Sequence, residues 1–112
     1  MELRERSAGE VTVIAVTGDI TLSKGGDVQL RDKVESLLLR GKKWLVLDLG
    51  GVVYVDSAGL GQLVQLQATT LRHGGSLKLL NLTKRMSDVL VVTRLSTVFD
   101  SYGSEAEAVA SF

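Results

Sequence analysis

The stretch VVYVDSAGLGQLVQL, Val52 to Leu66, changes character halfway along. Its first four residues are apolar and mostly β-branched, as a strand requires. From Leu60 the apolar residues recur at helical spacing instead. Between the two lie an acid, a hydroxyl, a small residue and two glycines: Asp56, Ser57, Ala58, Gly59 and Gly61. A strand that turns this abruptly into a helix is half of a crossover unit, and crossover units build parallel sheets.

Working outward, similar units appear on both sides. Val11 to Gly18, VTVIAVTG, reads as a strand, with Leu3 to Arg6 as an earlier strand paired to it across a turn at Gly9. Asp27 to Arg40 reads as a helix, with Leu30, Val34, Leu37 and Leu38 on one stripe and Gly41 at its C-terminal end. Trp44 to Leu49, WLVLDL, is a nearly continuous apolar run, the pattern of a strand covered on both faces. The second helix is expected over Ser57 to His73, with Leu60, Leu63, Val64, Ala68 and Leu71 on its buried face. Ser76 to Leu82 reads as a strand, and Thr83 caps a helix from Lys84 to about Arg94. Thr97 to Phe99 reads as a short strand, and Ser104 with Glu107 fits a capping box before a last helix to Phe112. The order β-β-α-β-α-β-α-β-α predicts an α/β fold: a mixed, mostly parallel sheet with helices mainly on one face. No repeat or linker divides the chain, so one domain over residues 1–112 is expected.

Composition narrows the function. Lys+Arg and Asp+Glu both number 13, so no net positive charge attracts nucleic acid. With no cysteine, disulfides, thiolate catalysis and cysteine-based metal sites are excluded. The start, MELRERSAGE, is unlike a signal peptide, and no apolar run approaches the ~20 residues of a membrane span. A cytoplasmic location is the default.

The Asp-Ser turn admits several readings. Ser57 stands where an N-cap belongs, its oxygen accepting an orphan amide of the first helical turn. Asp56 stands where a carboxylate fixes a turn through the backbone, or beside an incoming phosphate or metal. Capping does not explain the glycines, each of which costs a helix roughly 1 kcal/mol relative to alanine. Bare backbone at a helix N-terminus serves an anion, the close approach of another protein, or tight packing on a sheet. Catalysis by Ser57 fails for want of a base. The only histidine, His73, lies at the far end of the same predicted helix, roughly 24 Å away at ~1.5 Å per residue. His73 reads instead as a C-terminal residue complementing the helix dipole. Gln67, in the middle of the predicted apolar face, is either a hydrogen-bonded buried amide or the edge of that face. Neither a P-loop nor a G-x-S-x-G elbow is present.

Val53-Tyr54-Val55-Asp56-Ser57-Ala58-Gly59-Leu60-Gly61 resembles the signature of STAS domains, in particular bacterial anti-sigma factor antagonists. Gly18-Asp19-Ile20, Leu45 to Leu49, Leu90 to Leu95 and the terminal Phe99-Asp100 with Glu105 to Ala108 fall where that family's pattern places similar residues. The resemblance spans nearly the whole chain. It implies a partner-switching phosphoprotein of signal transduction and transcription regulation, without a cofactor or enzymatic activity. Ser57 is then the phosphoacceptor. Asp19, Asp56, Ser57, Ala58, Gly59, Leu60 and Gly61 form the partner-binding segment. The implied partners are an anti-sigma factor serine kinase, bound when Ser57 is unmodified, and a PP2C-type serine phosphatase that resets the switch. The resemblance also admits a scaffold subunit of a signalling complex, or the small subunit of a lipid transporter. This chain departs from the pattern in having Thr21 where an Asp is common, and Ala58 where a second hydroxyl is common.

Overall fold

The computed structural model describes residues 1–112. Nine elements follow in order: β1 (Glu2–Ala8), β2 (Val11–Ile20), α1 (Gly26–Leu39), β3 (Trp44–Val55), α2 (Ser57–Arg72), β4 (Ser76–Leu80), α3 (Lys84–Val92), β5 (Ser101–Tyr102) and α4 (Glu105–Ala110). The five strands form one sheet in chain order. β1 pairs antiparallel with β2, from Glu2↔Thr17 to Ala8↔Val11, and every other pairing is parallel. The predicted element order and mixed sheet are the observed ones.

Alternation along the strands divides the core between two layers. Ile14 and Val16 of β2, Leu45, Leu47 and Leu49 of β3, and Leu77 and Leu79 of β4 pack in one cluster with Leu30, Val34 and Leu37 of α1, Leu63 and Leu66 of α2, and Met86 and Leu90 of α3. Val11, Val13, Val46 and Leu80 form a second, smaller cluster with Ala108 of α4. Three helices thus share one sheet face and the short α4 covers part of the other. This is why WLVLDL shows no polar alternation at Val46. Lys78, also on β4, is nine-tenths buried. Its ammonium lies 3.4 Å from Asp100 Oδ2 and 3.4 Å from the Ser111 carbonyl, and over the rings of Tyr102 and Phe112. These contacts, with an Arg6–Glu105 ion pair, hold the C-terminal segment on the sheet.

Local chemistry explains most boundaries. α1 ends at Leu39 with Arg40 as its C-cap, and Gly41 follows with φ +78°, a left-handed conformation that glycine adopts without strain. The Thr83 side chain accepts the Met86 amide at the start of α3, and Ser104 accepts the Glu107 amide at the start of α4.

Three expectations need correction. Thr97 to Phe99 is a turn; the fifth strand is Ser101–Tyr102, joined to β4 through Leu79↔Ser101 and Leu80↔Tyr102. Phe99 is apolar because it is buried from that turn, not because it lies in a strand. β3 does not stop at Leu49 but runs on to Val55. The strand passes through Gly50-Gly51, where a side chain at Gly51 would overlap Thr17 on β2, so glycine there permits close strand approach at a register shift. Finally, the buried face of α2 is Gly59, Leu63, Leu66 and Thr70; Ala68 and Leu71 point to solvent, while Leu60 and Val64 are half-buried. Gln67 donates from Nε2 to the Val98 carbonyl at 3.1 Å, so it is a hydrogen-bonded amide that ties α2 to the turn before β5.

Candidate functional site

The carboxyl ends of β2 and β3 lie side by side, paired through Asp19↔Tyr54 and Ile20↔Val55. The chain leaves β3 at Val55 and enters α2 within two residues. Asp56, in extended conformation, is the N-cap: its Oδ1 accepts the Gly59 amide at 2.8 Å. Its Oδ2 accepts the Leu22 amide, in the loop after β2, at 3.0 Å. One carboxylate therefore caps α2 and fastens the β2–α1 loop beside it. These backbone donors, Gly59 first and Leu22 second, hold the Asp56 carboxyl below its ordinary range.

The expectation that Ser57 caps the helix is therefore corrected. Ser57 is the first residue of α2, exposed, and takes no part in the cap. An ionised carboxylate with two oxygens serves two amides at once, which a single hydroxyl does not. The capping role moves one residue upstream and leaves a hydroxyl at the helix N-terminus, facing solvent.

The two glycines differ. Gly59 is buried, and a methyl group there would overlap the Ile20 carbonyl and crowd Val55. It allows α2 to rest on the ends of β2 and β3. Gly61 is exposed, and a methyl group would meet nothing within 4 Å. The packing explanation holds for Gly59 and has no object at Gly61. Of the segment grouped by sequence, Ser57 and Gly61 face outward, Ala58 and Leu60 are half-exposed, and Gly59 faces inward. Asp19 is paired with Lys24 at 2.7 Å and its side chain is one-fifth exposed. Thr21 is buried, its hydroxyl without a hydrogen-bond partner, so position 21 presents nothing to a partner.

His73 is the C-cap of α2, its Nδ1 2.9 Å from the Thr69 carbonyl, a helix length from Ser57. No three His, Asp or Glu side chains converge as a metal-binding group. No helix is long and apolar enough to cross a membrane. Leu22, Val53 and Tyr54 lie outside the segment assigned to partner binding from the sequence. These apolar residues on the paired strand ends and adjoining loop are 66%, 66% and 49% exposed.

The family model described as "Mlab, STAS domain" matches residues 3–100. The anti-sigma-B factor antagonist of Bacillus subtilis (strain 168) is 34% identical over 88 residues, which cover 73% of this chain and 80% of that protein. Among solved structures, tm1081 of Thermotoga maritima superposes with a TM-score of 0.88 at 20% identity, covering 97% of this chain and 92% of that one. The Bacillus cell fate determinant SpoIIAA in its phosphorylated form gives 0.73 at 20% identity, covering 97% of each chain. At such identities the structures speak for the fold alone; with the sequence match and the family model, they make this chain a member of the STAS domain family.

Proposed function

We propose that residues 1–112 form one STAS domain acting as an anti-sigma factor antagonist, switched by phosphorylation of Ser57. The unmodified protein binds an anti-sigma factor serine kinase and so releases a sigma factor. Phosphorylation by that kinase ends the complex, and a PP2C-type serine phosphatase restores it. The protein is substrate and switch; it performs no catalysis of its own and works in the cytoplasm. The observation that carries this reading is the free Ser57 hydroxyl: exposed at the first position of α2 while Asp56 does the capping. Its neighbours Ala58 and Gly61 are small, and Gly61 is exposed with open space around it. Relationship to a protein named as an anti-sigma-B factor antagonist supports the class of partner.

The physics of the switch follows. A phosphate at Ser57 adds about −1.5 to −2 charge, which the amide-rich helix end tolerates within the protein. On the outside it stands beside the Asp56 carboxylate. A partner fitted to a neutral hydroxyl then meets a desolvated, unpaired charge at the contact, which is costly.

The STAS resemblance also admits a second reading: a STAS scaffold subunit of a signalling complex or of a lipid transporter. One experiment separates the two. Candidate anti-sigma kinases from the source genome are incubated with the protein and ATP, with mass spectrometry locating any phosphate, and their affinities are titrated. The antagonist reading expects phosphate at Ser57 and tight binding by Ser57→Ala, with neither expected of a scaffold. Phosphate confined to Ser87 or Ser101 overturns the assignment of Ser57.

A further inference from the structure

The two faces of the sheet are held in different ways. Three helices seal one face over a cluster of 19 buried residues. The other face has a cluster of five, of which only Ala108 comes from the cover. That cover is the segment Asp100 to Phe112. Neither of its elements is stable alone: β5 has two residues and α4 six, well short of the ~12–15 at which an isolated helix persists in water. Its attachment is largely ionic and aromatic. The Lys78 ammonium has four partners: the Asp100 carboxylate, the Ser111 carbonyl and the rings of Tyr102 and Phe112. All of them belong to this one segment. Lys78 itself stands on β4, its side chain only 11% exposed. A second cation, Arg6 of β1, pairs with Glu105 of α4 and lies 3.8 Å from Asp48 of β3. Phe112 also meets Trp44, with ring centroids 6.1 Å apart. Just before the segment, Phe99 is buried in the larger cluster and pins the chain there.

We infer that Asp100 to Phe112 is a releasable strap, which opens as a unit beyond the Phe99 pin while the rest of the fold stays closed, and that Lys78 is its latch. One buried cation gathers both ends of the strap: Asp100 and Tyr102 at its start, Ser111 and Phe112 at its finish. Removing that charge therefore frees the whole segment rather than a single contact. Opening withdraws the Asp100 and Tyr102 carbonyls from the Leu79 and Asn81 amides that donate to them. β4 then becomes an edge strand, and Val11, Val13, Val46 and Leu80 lose their cover. The helix-covered face and the turn that presents Ser57 keep their packing. Such a unit opens at a lower free energy than the whole domain, because few apolar contacts hold it.

The test is amide hydrogen exchange, resolved by NMR, on wild type, Lys78→Met and Lys78→Arg. The reporters are the amides of Leu79, Asn81 and Ala108, which donate to the Asp100, Tyr102 and Ser104 carbonyls. Amides between β2 and β3 are the reference. In wild type the three reporters are expected to exchange together and faster than the reference. Lys78→Met keeps the apolar stem and removes the charge. It is expected to speed the reporters about tenfold, the effect of losing roughly one hydrogen bond to a charged group, and to leave the reference unchanged. Lys78→Arg keeps the charge and the ring contacts and is expected to restore most of the protection. Trp44, the sole tryptophan, gives a second reading: its emission should shift toward that of an exposed indole in Lys78→Met as Phe112 withdraws. Equal acceleration of reporters and reference would make Lys78 part of one cooperative fold and overturn the strap. Unchanged or slower exchange in Lys78→Met would mean that apolar packing holds the segment, and would overturn the latch. The measurement needs no partner, so either result leaves the antagonist reading of Ser57 where it stands.

Discussion

The first turn of α2 has an inner and an outer side, and the two obey different rules. On the inner side, Asp56 and Gly59 are fully engaged: a carboxylate with two backbone amides, and a glycine pressed against the Ile20 carbonyl. On the outer side, Ser57 and Gly61 touch nothing in the protein that requires them. Residues of the same chemical types, one or two positions apart, are thus fixed by packing on one side and left to other demands on the other. A sequence selected for stability alone fills the outer side with better helix formers. Its failure to do so is the sign that the outer side serves something beyond the fold.

That contrast is broken most directly at Ser57. Ser57→Asp is expected to lower affinity for the kinase partner by ~2–5 kcal/mol if the charge is buried on docking, while the melting temperature barely moves. A large drop in melting temperature would place Ser57 on the inner side after all. Gly59→Ala should do the reverse, costing about 3 kcal/mol in denaturant unfolding because a methyl group must displace backbone rather than a flexible side chain. Wild-type stability in that variant would remove the packing role assigned to Gly59.

Asp56→Ala comes next, with a melting temperature several degrees lower from loss of the cap and of the loop tie. Its pH dependence sharpens the point. The folded-state pKa of Asp56 is depressed, so its contribution is present above the ordinary carboxylate value and disappears as pH falls through the folded one. Between about pH 5 and pH 3 the wild type should therefore lose more stability than Asp56→Asn, which has no proton to gain; parallel curves would count against the clamp. Glu5, lowered chiefly by its hydrogen bond with Lys33, contributes with the same sign in both proteins and cancels in the difference. The smallest effect is at Gly61. Gly61→Ala should raise stability by about 0.5–1 kcal/mol, since alanine is the better helix residue and meets open space. If Gly61 serves close approach, the same change weakens partner binding; an unaltered affinity would leave that glycine without a role.

Much of this was legible beforehand, for reasons that can be named. The order of strands and helices followed from period-2 and period-3.6 patterns long enough to be distinct, as in Val11 to Gly18 and in the stripe Leu30, Val34, Leu37, Leu38. The fifth strand was misplaced because only two of its residues pair, too few to carry a pattern, while Val98 and Phe99 look like a strand and serve as a turn and a core plug. The face of α2 was rotated because Ala68 and Leu71 are apolar but exposed, whereas Thr70, polar by type, is buried with its hydroxyl bonded to the Leu66 carbonyl.

By itself the sequence determined the mixed sheet, the strand-to-helix turn at Asp56-Ser57 and the absence of a base near Ser57, because each depends on local pattern or on separation along one helix. Only the tertiary structure decided that Asp56 caps α2, that Gly59 is committed to packing and Gly61 is not, and that the Leu22 amide is held by Asp56. Those outcomes depend on β2 lying next to β3, which brings Ile20 and Leu22 against residues more than thirty positions away in the chain. A spacing rule reads neighbours along the backbone; the contacts that separate the inner side of this turn from the outer one are made across the sheet.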